Sequence, residues 1–251
     1  MKLSEISRRL DALFAPVKVN DIATNGLQVG GDWEVTRVAL AVDARLSVFE
    51  EAAKLGCGLL ITHHGLYWGT PYPLVGGDYQ RVASLVRHQV GLYAQHLPLD
   101  MHPTLGNNAQ LLARLGLPNE GSFGLWHGNQ IGYFGTLPSP RPLQEFVQEA
   151  QARLGLTGRL LDFGKPMVSV VGVVSGGPGT GDILDAHRHG LDLVITGETN
   201  HAVHALAQDW GLSVLFCGHY GTETFGVQAL GGWIEQELGL PTVFIPQPTE
   251  M

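Results

Sequence analysis

Cysteine is nearly absent. Cys57 and Cys217 are the only two in 251 residues, and neither belongs to a C-x-x-C pair. That excludes a disulfide-stapled scaffold and a four-cysteine zinc knot, and it predicts free, buried thiols in a reducing compartment. Charge is also sparse, at 15% of residues, and positive charge is the sparser sign: 15 Lys and Arg stand against 23 Asp and Glu, for a formal net charge of −8. A broad phosphate-gripping surface for nucleic acid is therefore disfavoured, unless Arg81, Arg87, Arg141 and Arg153 gather on one face. No apolar run approaches the roughly 18 residues of a membrane span. Met1-Lys2 opens an amphipathic pattern and not a signal-peptide run. These absences predict a soluble, cytoplasmic protein with no membrane partner.

What is present is an alternation of short apolar runs and helical periodicities. Leu3, Ile6, Leu10 and Leu13 predict an opening helix closed by Pro16. Val38 to Val42 reads as a buried strand, and Ser47 as the cap of a helix that Gly56 ends. Leu59-Leu60-Ile61 is a short strand that stops at Thr62-His63-His64-Gly65. After a Pro/Gly-rich stretch, a helix over 79–89 and a strand over 92–95 lead to His96-Leu97-Pro98-Leu99-Asp100. Further strands are expected at 131–137, 168–174, 193–196 and 214–216, with helices near 143–154, 183–189, 201–210 and 225–238. The pattern predicts an α/β protein of two related halves, 1–125 and 126–251, with mixed or partly parallel sheets and a metal cleft between them. An internal echo supports related halves: Gly58-Leu59-Leu60-Ile61-Thr62 resembles Asp192-Leu193-Val194-Ile195-Thr196. In both halves a histidine beyond the next strand is followed four residues later by a carboxylate, His96 to Asp100 and His219 to Glu223.

The candidate chemistry sits at strand ends, where open α/β sheets bind ligands. His63, His64, His96 and Asp100 belong to the first half, His219 and Glu223 to the second. Imidazole and carboxylate suit borderline or hard divalent metals, and this set exceeds what one ion needs, which fits a two-metal site. Each residue also has a plainer reading: a hydrogen-bonded loop for the His pair, a turn for Asp100, a helix N-terminus for Glu223. Glu198 either orients a ligand imidazole or caps the helix starting near Asn200, where His201 also lies. The Ser175–Asp182 glycine loop reads more readily as a tight βα turn than as a phosphate cradle, because it lacks a Walker or dinucleotide pattern. Trp68, Tyr72 and Tyr79 could stack a heterocycle or simply pack their loop. Cys217 reads as a buried thiol.

Asn25-Gly26-Leu27-Gln28-Val29-Gly30, Thr62-His63-His64-Gly65-Leu66, His96 to Asp100, Gly106-Asn107-Asn108, Thr196-Gly197-Glu198, and Gly218-His219-Tyr220 with Thr222-Glu223 occur in this order. Together they resemble the GTP cyclohydrolase I type 2 homologue family, also described as dinuclear-metal-centre hexameric proteins. The resemblance spans nearly the whole chain. It implies a metal pair held by His63, His64, Asp100, His219 and Glu223, with Glu223 or Asp100 placed to bridge, and a homohexameric ring. Tyr220 and Gly221 depart mildly from the family pattern.

The resulting expectation is a metal-dependent hydrolase carrying two divalent ions (zinc, iron, manganese or nickel). Its substrate would be GTP or another heterocycle or ester, with His96 or Glu198 handling protons. The alternative is a non-enzymatic metal-binding ring for storage, delivery or scaffolding.

Overall fold

The computed structural model describes residues 1–249. Along the chain the elements are α1 (Leu3–Phe14), β1 (Gly26–Val29), β2 (Val38–Asp43), α2 (Leu46–Lys54), β3 (Leu59–His64), α3 (Gly76–His88), β4 (Gly91–Ala94), the single turn α4 (Leu97–Asp100) and α5 (Asn107–Leu115). Then come β5 (Gly121–Trp126), β6 (Asn129–Pro142), α6 (Leu143–Leu154), β7 (Arg159–Leu161), β8 (Met167–Val174), α7 (Thr180–Arg188), β9 (Leu193–Thr196), α8 (His201–Trp210), β10 (Ser213–Phe216), the turn α9 (His219–Thr222), α10 (Thr224–Leu238) and β11 (Thr242–Phe244). The protein is a mixed α/β fold with two sheets.

Two compact units divide the chain. The first joins Met1–Leu105 to Gly226–Gln247; the second comprises Gly106–Phe225 with Pro248 and Thr249. The expected halves are continuous segments. The first unit is instead discontinuous, because its sheet takes a strand from the end of the chain.

In the first unit the strand order is β1-β4-β3-β2-β11. β2, β3, β4 and β11 run parallel, and β1 closes one edge antiparallel to β4. The central strands are apolar on both faces because helices cover them, so each reads as a continuous run and not as an alternation. Ala39, Phe49, Leu60, Leu85, Leu92 and Ile245 form the core here. Ser47 does not cap α2: Arg45 occupies the cap position with no side-chain bond, and the Ser47 hydroxyl lies 3.3 Å from Gln247 Oε1.

In the second unit the order is β5-β6-β8-β9-β10-β7. β8, β9 and β10 are parallel; the strands toward either edge are antiparallel. Leu111, Phe146, Val171, Leu193, Ile195 and Leu215 pack the core. Helix α8 ends at Gly211, whose φ of +60° lies in the left-handed region that favours glycine. The echoing segments hold equivalent places. β3 lies between β2 and β4, and β9 between β8 and β10, each the middle of a parallel triplet. In each, the apolar run leads to a fully buried threonine, Thr62 and Thr196, whose hydroxyls lack a hydrogen-bond partner among the described residues.

Asp192 pins the start of β9 to β8. It accepts from the Ser169 and Val170 N–H groups at 2.9 and 3.0 Å and from Lys165 Nζ at 2.8 Å. Burial alone would raise its pKa, but these donors outweigh burial and lower it. A carboxyl depressed in the folded state contributes stability above its unfolded pKa and loses it as pH falls through the folded value. Asp192→Asn should therefore destabilise the protein by about 1–3 kcal/mol at neutral pH, with the gap to wild type closing in acid. Urea unfolding at neutral pH and near pH 3 checks this; a gap that widens in acid would refute it.

Candidate metal centre

In the first unit the site grows out of strand register. His63 and His64 are the last two residues of β3, so they belong to the strand and not to the loop after it. Asp43 is the cross-strand partner of His64, which is why its Oδ1 meets His64 Nδ1 at 2.8 Å. One residue past β4, the Gln95 carbonyl oxygen lies 3.0 Å from His63 Nδ1. His96 follows, with Nδ1 at 3.0 and 3.2 Å from the two Asp21 oxygens. Its backbone N–H donates to Asn25 Oδ1 at 2.7 Å, and that of Leu97 to Asp21 Oδ2 at 3.1 Å. Burial opposes the charge on Asp21, yet His96, Asn25 and the Ala23 N–H hold its pKa down at about 2.

Each of these three imidazoles thus has an oxygen acceptor on Nδ1. That acceptor places the proton on Nδ1 of the neutral ring and leaves the lone pair on Nε2, the arrangement by which metal-ligating histidines are oriented. His63 is fully buried, and its Nε2 lies 3.5 Å from Asp100 Oδ2. The His63 and His64 rings are 4.6 Å apart, and the His96 ring is 5.1 and 5.6 Å from them. One ligand atom from each of His63, His64 and His96 falls within 4.8 Å of the others. Such a donor set can hold a divalent metal ion. Trp68 Nε1 donates to the Gly65 carbonyl at 3.2 Å and the Tyr72 hydroxyl to the Leu66 carbonyl, so both brace the loop, while the Trp68 ring also packs edge-on against His96 at 4.9 Å. Gly65 is required after the His pair because a Cβ there would fall within 2.7 Å of Ala94 Cβ and of the Gln28 carboxamide. Gln28 in turn accepts from the Leu66 N–H at 2.7 Å.

In the second unit the loops after β8, β9 and β10 converge. His219 begins the turn α9; its Nδ1 lies 2.9 Å from Glu198 Oε1 and its Nε2 3.1 Å from Glu223 Oε1. Burial would lower the His219 pKa, but hydrogen bonding and charge from Glu223, then from Glu198, raise it to about 9. Glu198 therefore orients this imidazole, while α8 is capped by Asn200, whose side chain accepts from the Val203 N–H. The glycine loop is a platform for these side chains. Gly176, at φ +72°, would place a Cβ 2.5 Å from Glu223 Oε1, and its N–H donates to Thr222 Oγ1. The start of α7 is closed by its own Asp182, which accepts from the Gly179 N–H at 2.7 Å. The loop is thus the tight turn and not the phosphate cradle. Burial pushes the Cys217 thiol up to about 12, so it stays protonated. Tyr220 is buried and Gly221 abuts Leu156, so the two departures from the motif pack the turn.

Sequence reasoning missed Asp21, Asp43 and the Gln95 carbonyl, the groups that aim the imidazoles. The four arginines weighed for nucleic acid include three that are engaged: Arg81 with Asp78, and Arg141 and Arg153 both with Glu149.

Fold and site together define an α/β protein whose two sheets each carry, beyond parallel strands, a cluster of histidine and carboxylate with metal-ligand chemistry. The chain belongs to the Duf34/NIF3 (NGG1p interacting factor 3) family, whose model matches residues 1–250. It is 42% identical over 229 residues to a Deinococcus radiodurans protein named GTP cyclohydrolase 1 type 2 homolog, covering 91% of this chain and 87% of that one. A solved structure described as protein ybgI, of unknown function, superposes with a TM-score of 0.92 at 34% identity, over the full length of both chains. TTHA1606 from Thermus thermophilus does so at 0.87 and 38%, again over both full lengths. The family suggested by the sequence motifs is thereby shown.

Proposed function

We propose that the protein holds two divalent metal ions through His63, His64, Asp100, His219 and Glu223 and is a metal-dependent hydrolase of the GTP cyclohydrolase kind. The observation that carries this reading is the His63–His64 pair, each with Nδ1 on an oxygen acceptor, with Asp100 Oδ2 3.5 Å from His63 Nε2. The His219–Glu223 pair, backed by Glu198, supports the same chemistry in the second unit. When bound, the metals would supply Lewis acidity toward an electrophile and toward water. Zinc, iron, manganese and nickel all suit the donors.

The chain's own residues do the rest. Asp43 and the Gln95 carbonyl hold two imidazoles in the ligating tautomer. Glu198 keeps His219 turned toward Glu223. His96, with Asp21 behind it, is a histidine–carboxylate pair suited to take up and return a proton. The names of the curated relatives support the choice of GTP as first substrate to try. The reading extends to a ring of six copies in the cytoplasm. Exposed Val75, Tyr79 and Val86 on one stretch of the first unit support self-association, and the two free, buried thiols support a reducing compartment. Among the described residues no helix is long and apolar enough to cross a membrane.

The test pairs metal analysis of purified protein with GTP turnover for wild type and Glu223→Gln. Wild type should carry about two ions per chain, and the variant should lose turnover by roughly a hundredfold or more. Full metal loading with no turnover of GTP would remove the cyclohydrolase reading and leave metal storage or delivery.

A further inference from the structure

The second unit contains a cleft of about 720 Å³ whose lining includes none of the proposed metal ligands. It lies at the carboxyl ends of β9 and β10, where open sheets receive ligands. Strand register sets its layout. Thr196, Phe216 and Arg159 are successive neighbours across β9, β10 and β7, so Arg159 stands at the sheet edge, two strands from the end of β9. Thr157 precedes it in the same wall. The start of α8 also lines the cleft, with His201 and His204; the His204 ring is braced edge-on against Phe163 at 5.1 Å. Phe216 contributes apolar surface, and Glu198, which also meets His219, and Gly218 line the cleft.

The lining is therefore polarised. Arg159, two imidazoles and a threonine hydroxyl offer hydrogen-bond donors. The one carboxylate among the described lining residues, Glu198, is held by His219. No acidic side chain answers Arg159 among the ion pairs of the described residues. A guanidinium with several further donors suits a tetrahedral, multi-oxygen anion better than a planar carboxylate, which would use fewer of them. The volume falls within the usual range for small-molecule sites, roughly 300–1,000 Å³. We infer that this cleft binds a small phosphomonoester, its phosphate held by Arg159, His201 and His204 and the remainder lying along Phe216 toward Glu198. The inference does not rest on the hydrolase reading; the anion site stands on the cleft alone.

Titration of full-length protein, as purified, with phenyl phosphate and with inorganic phosphate tests it by calorimetry. Both should bind saturably. Arg159→Gln should weaken phenyl phosphate about tenfold or more, with metal content unchanged, and His201→Gln should weaken it less. Arg87→Gln, on α3 in the first unit, should leave binding as in wild type. Equal affinity in wild type and Arg159→Gln would overturn the inference, since the anion would then sit on the metals or elsewhere. So would absence of binding at millimolar phosphate, or equal weakening by Arg87→Gln. Wild-type protein that binds phosphate through Arg159 yet purifies without metal would support this cleft and sink the dinuclear reading, which separates the two failures.

Discussion

Replacing His63 and His64 together by alanine is expected to strip the protein of most of its bound metal while leaving the fold intact. The two imidazoles are ends of a strand whose apolar residues, Leu59 to Ile61, pack the core on their own account. Their removal takes away two of the three clustered nitrogens in the first unit. The positioning groups should give a graded version of the result. Asp43→Ala removes the acceptor on His64 Nδ1 without touching a ligand atom. Loss of such a partner usually weakens metal affinity by about 10–100-fold. Elemental analysis of purified variants, followed by competition with a chromophoric chelator, reads both effects. Metal content equal to wild type in the double variant would remove the first unit from the site altogether.

The second large effect is expected at a residue with no side chain. A Cβ on Gly197 would lie 2.3 Å from the Gly176 carbonyl oxygen, 2.8 Å from His219 Cα and 2.8 Å from Thr222 Oγ1. Two of these atoms are backbone and cannot swing aside. The loops after β8, β9 and β10 touch at this point: the Glu198 N–H donates to Gly176 O at 2.8 Å and the Gly218 N–H to Gly197 O at 2.9 Å. Gly197→Ala must therefore separate the loops that carry Glu198, His219 and Glu223. Overpacking of this kind costs about 1–3 kcal/mol, a fall in melting temperature of several degrees for a chain of this size, roughly 2–4 °C per kcal/mol. Metal content should fall with it. Gly77→Ala is the control, because a Cβ there meets nothing within 4 Å. A Gly197→Ala protein that melts and binds metal like wild type would show the three loops to be independent.

Much of this arrangement is legible in the residues. The bounds of α6, α8 and β9 follow from periodicity and from buried runs, because local pattern and tertiary burial agree there. The histidines stand out because each follows an apolar strand. Other features depend on distance in sequence. Asp21 meets His96 across 75 positions and Asp43 meets His64 across 21, and no local pattern announces a carboxylate that pairs through register. The short strands β7 and β11 have three residues each, too few for a period. Helix α5 escapes a reading of the sequence for another reason. Its Leu111, Leu112 and Leu115 have helical spacing, but Asn107-Asn108 reads first as a motif, and Asn108 is structural. Its carboxamide donates to the Ile131 carbonyl and accepts from the Ser175 N–H, tying α5 to β6 and to the end of β8.

The parallel strand β11 seals the flank of β2, the strand that carries Asp43, yet it is encoded after every residue of the second sheet. On the ribosome, where chains emerge at about 5–20 residues per second and domains collapse as they appear, the second sheet has all its strands first. The first sheet must wait, the flank of β2 bare, until residues 242–244 have been made. A chain interrupted shortly before Thr242 would thus leave the His63–His64 pair on an unfinished sheet.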